Sequence, residues 1–147
     1  MCIRDSAEVS LLLGMNVRLG CPNGFDADEV ELERLATIGT GTIVQVPRAI
    51  DAVEGAHAVH TDTWVSMGQE EEKAARRRAF EGYTVDGDVM AAAARDAVFM
   101  HCLPAYRGFE VSADVIDGPQ SAVMQQGHNR MHAARAALAF VLSEASG

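Results

Sequence analysis

The segment His101-Cys102-Leu103-Pro104-Ala105-Tyr106-Arg107-Gly108 places an imidazole, a thiol and a guanidinium within seven positions. Cys102 can act as a thiolate or a proton acceptor, or it can pack as an inert thiol. His101 can be a base or a hydrogen-bonded structural residue. A second segment runs from Thr61-Asp62-Thr63-Trp64-Val65 into Ser66-Met67-Gly68-Gln69. Asp62 can anchor or deprotonate an ammonium, or simply make a turn. Ser66 and Gln69 match the S-x-x-Q capping box, and a helix start also offers free backbone amides to a ligand. A third segment is Gly127-His128-Asn129-Arg130-Met131-His132. Asn129 reads as an N-cap, which puts Arg130 in a first helical turn. A cation there opposes the helix dipole by about 0.3–1 kcal/mol, unless a bound anion reverses the balance or the side chain turns away to solvent.

These groups need elements that bring them together. The apolar run 97–100 reads as a strand, and Pro104 stops its continuation past His101. Further strands are expected at 16–21, 42–46 and 57–61, with a short extended piece at 83–85. Helices are expected at 26–38, 47–54, 68–80, 87–95 and 129–142. In the first of these Asp26 is the expected N-cap, Phe25 and Val30 have staple spacing, and Gly39 and Gly41 close the helix. Glu70 to Glu72 and Arg76 to Arg78 suit the two ends of the third. Met131, Ala134, Leu138, Val141 and Leu142 share one face of the last. Residues 7–13 resemble the tail of a helix, while residues 1–6 fit no element.

Alternation of strands and helices predicts an α/β, Rossmann-like three-layer domain with a mostly parallel sheet flanked by helices. Asp62 and Cys102 then lie at strand C-termini, the edge where open parallel sheets bind ligands.

The 147 residues suffice for one domain, and 48% of them are hydrophobic. The net charge of −9 argues against nucleic acid as a main partner, though small anions respond to local charge. No apolar run is long enough for a helical membrane span. Cys2, Cys21 and Cys102 show no zinc spacing, and a reducing compartment is the simplest reading. No GxGxxG or Walker motif is present, so no cofactor is expected.

Three features, in this order, resemble the C-terminal half of ornithine carbamoyltransferase. They are Asp62 with Ser66-Met67-Gly68, then His101-Cys102-Leu103-Pro104, then Asn129-Arg130 with His132. The resemblance implies transfer of a carbamoyl group from carbamoyl phosphate to the side-chain amine of L-ornithine, giving L-citrulline and phosphate. It implies that Asp62, Ser66 and Met67 hold the amino-acid end of ornithine, and that Asp62 and Cys102 are catalytic proton acceptors. Cys102 and Leu103 would line the carbamoyl phosphate site, and Arg130 would contact carbamoyl phosphate. It implies a cytoplasmic enzyme, homotrimeric at full length, whose sites are completed by a neighbour's phosphate loop.

The chemistry agrees with this assignment. A free alkyl amine has a pKa of about 10.4, so it must lose a proton before it can attack. The oxyanion formed by attack needs positioned donors. The family's Ser-Thr-Arg-Thr phosphate loop and His-Pro-x-Gln segment do not occur here. The expected organisation is therefore an unmatched segment 1–6 followed by an ornithine-binding domain at 7–147, without the carbamoyl phosphate domain and inactive alone. Two other readings stay open. One is a carbamoyltransferase for another amine, such as putrescine or an acylated ornithine, against which the Ser66-Met67-Gly68 loop argues. The other is a nonenzymatic α/β binding module.

Overall fold

The computed structural model describes residues 2–65 and 72–144. Its elements alternate: α1 (Cys2–Leu12), β1 (Val17–Gly20), α2 (Glu29–Ala36), β2 (Ile43–Val46), α3 (Ala49–Val53) and β3 (Ala58–Thr61) come first. They are followed by α4 (Lys73–Ala79), α5 (Gly87–Ala92), β4 (Val98–His101), α6 (Ala113–Ile116) and α7 (Val123–Glu144).

Every strand pair is parallel, as the α/β alternation requires, because helical crossovers return each chain segment to the same end. β1 pairs with β2 from Val17↔Ile43 to Gly20↔Val46. β3 pairs with β4 from Ala58↔Val98 to Thr61↔His101. The backbone ladder is divided: among the described residues the two pairs form separate two-stranded sheets rather than one. Helix α3 links them by packing against β1, β2 and α5. Its approach to β1 is close enough that a Cβ on Gly20 would lie 3.0 Å from that of Ala52. Arg18 of β1 donates to the Asp51 and Glu54 carbonyls at the end of this helix, at 3.3 and 2.6 Å.

Two apolar clusters follow this division. Ala7, Leu11 and Leu35 close over β1 and β2, with Val17, Ile38 and Ile43 at the margin. The larger cluster centres on Phe99, which is fully buried, with Val59, Val85, Val111, Val115 and Val123 among its members. Phe99 also fixes the entry to α7, since its N–H donates to the Gln120 carbonyl and its carbonyl accepts from Ala122 N–H, both at 2.8 Å.

Several local expectations are corrected. Helix α1 begins at Cys2, so residues 2–6 are helical rather than outside any element. The N-cap of α2 is Asp28, whose Oδ1 accepts from Glu31 N–H at 2.8 Å, not Asp26. That shift removes Val30 from the staple position, and it stands 76% exposed. Phe25 instead meets Phe80 edge-on, with centroids 4.9 Å apart. Gly39 does more than end α2: a Cβ there would fall 2.0 Å from the Leu11 carbonyl oxygen, so only glycine admits the end of α1. The short helix α6 has no counterpart in the sequence reading.

The last helix differs most. It begins at Val123, so Asn129 is a helix-interior residue and not a cap. Arg130 therefore lies beyond the first turn, where no unpaired amides remain to share an anion. The apolar positions Met131, Leu138 and Val141 are 48%, 64% and 61% exposed.

Candidate active site

The strand ends bring three sequence-distant groups together. Asp62 follows β3, and Cys102 follows β4 in register beside it. The Cys102 thiol donates to Asp62 Oδ1 at 3.0 Å. The same oxygen accepts Thr63 N–H at 2.7 Å, which fixes the carboxylate over the strand end. From α7, Arg130 Nη1 donates to the Cys102 carbonyl at 3.0 Å. The Arg130 side chain is thus positioned by a backbone oxygen of the His101–Leu103 loop rather than by a helix terminus.

That loop has an unusual backbone. Leu103 occupies the left-handed region with φ 56°, and the Leu103–Pro104 peptide is cis. A leucine in that region is disfavoured by roughly 1–2 kcal/mol and persists only where its surroundings dictate it. Here His101 supplies part of the constraint. Its ring is buried, and Nδ1 accepts Leu103 N–H at 2.8 Å. An accepting Nδ1 leaves the proton on Nε2, which faces the buried Glu110 carboxylate at 3.4 Å. Glu110 also accepts Tyr106 N–H at 2.5 Å. One carboxylate therefore braces both the ring behind Cys102 and the far side of the loop.

Gln126 ties the loop to α7. Its Oε1 accepts His101 N–H at 2.9 Å, and its Nε2 lies 3.4 Å from His60 Nε2. Gln126 and Arg130 are one turn apart on the same helix face, so both reach the 101–102 backbone. Desolvation and then the neighbouring His101 lower the pKa of His60, while Asp62 opposes them.

Of the residues singled out from sequence, Asp62, Cys102 and Arg130 converge, and Leu103 sits beside them at 40% exposure. Ser66 and Met67 lie outside the described residues. Arg107 does not join the thiol: its guanidinium pairs with Asp117 at 2.8 and 2.6 Å on the surface. Glu110, Gln126 and His60 escaped the sequence reading. The one signal for Glu110 was an acid between Phe109 and Val111 in an extended, apolar stretch. Among the described residues no group of three or more His, Cys, Asp or Glu is placed to hold a metal ion. No helix there is long and apolar enough to cross a membrane.

A carboxylate, a thiol and a guanidinium thus meet at one rim of a parallel α/β domain. The chain belongs to the aspartate/ornithine carbamoyltransferase family, whose Asp/Orn binding domain matches residues 2–141. It is 48% identical over 141 residues to the ornithine carbamoyltransferase of Acidothermus cellulolyticus, covering 92% of this chain and 45% of that protein. The Symbiobacterium thermophilum ornithine carbamoyltransferase is 45% identical over 133 residues, covering 88% of this chain and 43% of that protein. Among solved structures, anabolic ornithine carbamoyltransferase from Campylobacter jejuni superposes with a TM-score of 0.88 at 31% identity, over 98% of this chain and 48% of that one. The Pyrococcus furiosus enzyme superposes with a TM-score of 0.84 at 39% identity, over 92% and 44% respectively. The chain spans about 45% of the length of the first of these curated relatives.

Proposed function

We propose that this domain provides the ornithine-binding half of an ornithine carbamoyltransferase. The observation that carries the reading is the contact of Asp62 with Cys102 and of Cys102 with Arg130. In this reading Asp62, with Ser66 and Met67, receives the amino-acid end of L-ornithine. Asp62 and, in its thiolate form, Cys102 are also the acceptors for the proton that the side-chain ammonium must release. The freed amine attacks the carbamoyl carbon of carbamoyl phosphate. A carbon–nitrogen bond forms, the bond from carbon to the phosphate oxygen breaks, and citrulline and phosphate leave.

Cys102 and Leu103 line the carbamoyl end. The Arg130 guanidinium stabilises charge on the carbamoyl phosphate oxygens. The left-handed Leu103 backbone fits a role in presenting main-chain groups to that end. The carbamoyl phosphate contacts of a phosphate loop come from outside these 147 residues. The reading extends to a cytoplasmic, homotrimeric enzyme.

The test is a chimera. The chain is joined to the carbamoyl phosphate half of the Acidothermus cellulolyticus relative, and citrulline formation is followed against the chain alone. The chimera is expected to turn over ornithine, with Asp62→Asn and Arg130→Ala each reducing kcat/KM at least a hundredfold. The isolated chain is expected to show little or none. A folded chimera that prefers putrescine or an acylated ornithine would overturn the substrate. Folded variants with unchanged kcat/KM would overturn the site.

A further inference from the structure

We propose that His128 and His132 of α7 form a surface chelating pair for a late first-row divalent metal ion. The two residues are four apart, so they project from one helix face a single turn apart. Their rings already meet, with centroids 4.7 Å apart and planes at 69°. Two imidazole nitrogens on one ion, at about 2.0–2.1 Å each, lie roughly 3 Å from one another. Rings in edge contact reach that spacing by rotating about their side-chain bonds, with the helix left in place.

Both residues are exposed, so water fills the remaining coordination positions and the ion exchanges freely. Imidazole donors select zinc, nickel and copper over magnesium and calcium, which prefer oxygen. The net charge of −9 favours cation approach. Arg130 stands between the pair along the chain, but its guanidinium is engaged at the Cys102 carbonyl at 3.0 Å. Arg135, three residues beyond His132, weakens the site by repulsion without blocking a ligand. An ion held across positions 128 and 132 clips the helical turn that carries Arg130, and binding therefore stabilises that turn. This site is independent of the transferase reading.

Isothermal titration of the 147-residue chain with Ni2+ tests it, alongside His128→Ala, His132→Ala and, as a control at another exposed histidine, His57→Ala. One Ni2+ per chain is expected. Each α7 substitution should weaken binding at least tenfold, and His57→Ala should leave it unchanged. Circular dichroism should show unchanged helicity, with Ni2+ raising the thermal midpoint of the unsubstituted chain and of His57→Ala but not of the two α7 variants. Magnesium should not bind. Wild-type nickel affinity in either α7 variant would assign the metal to other groups and overturn the proposal, as would the absence of nickel binding to the unsubstituted chain.

Discussion

Replacing Glu110 by alanine tests whether the loop behind Cys102 is held by a buried polar brace. The Glu110 carboxylate is 1% exposed, accepts Tyr106 N–H at 2.5 Å and faces the buried His101 ring at 3.4 Å. Truncation removes one charge-assisted hydrogen bond, worth about 1.5–3 kcal/mol. It also leaves Tyr106 N–H and His101 Nε2 without a polar neighbour in the interior. Leaving the Tyr106 N–H buried without an acceptor costs about 1–3 kcal/mol, and that is the loss expected here, since the His101 ring with an accepting Nδ1 is neutral and no charge is stranded. A domain of this size has roughly 5–15 kcal/mol of stability, so the variant should retain a fold with a much lower urea midpoint.

Glu110→Gln keeps an acceptor for Tyr106 and should lose about half as much. The joint substitution of His101 and Glu110 by leucine removes the acceptors of both the Leu103 and the Tyr106 N–H groups and should cost more than Glu110→Ala. Urea titrations followed by circular dichroism measure all three variants against the parent. An alanine variant within about 1 kcal/mol of the parent, at unchanged m value, would refute the brace.

Three other outcomes follow from the same contacts. Phe99→Ala empties the centre of the larger core and should cost about 3–5 kcal/mol in the same urea assay. Asp28→Ala removes the α2 cap and should cost about 1 kcal/mol, whereas Asp26→Ala should leave α2 unaffected; hydrogen exchange of the Glu31 amide reports on the cap directly. His60 has a lowered pKa in the folded chain, so the unfolded chain takes up its proton first on acidification. Stability should be fully present above about pH 6.5 and fall as pH drops through the lowered folded value, and His60→Gln should flatten urea midpoints across that window.

The parts of this protein legible in its residues are those governed by local pattern and motif. Short segments with apolar and β-branched residues, set off by glycine or proline, located the four strands found among the described residues, because such segments suit a pleated, partly buried surface. Helix ends were less legible. Asp26 and Asp28 are both acceptable caps, and only the Glu31 amide at 2.8 Å distinguishes them. Asn129 looked like a start because Asn and Gly127 disfavour helix interiors, yet α7 runs through both. The contacts of β4 with residues 120–122 outweigh that preference by starting the helix at Val123.

What the amino-acid order determined by itself was an α/β chain with its reactive groups at strand ends, since side-chain periodicity and strand termination are local properties. Which of those groups meet was decided only by tertiary structure. Asp62 and Cys102 lie 40 positions apart and touch because β3 and β4 pair in parallel register. Arg130 joins them because α7 runs past β4, while Arg107, much nearer in sequence, turns to Asp117. Distance along the chain carries no information about such meetings, for they depend on how packed elements place separate segments in space.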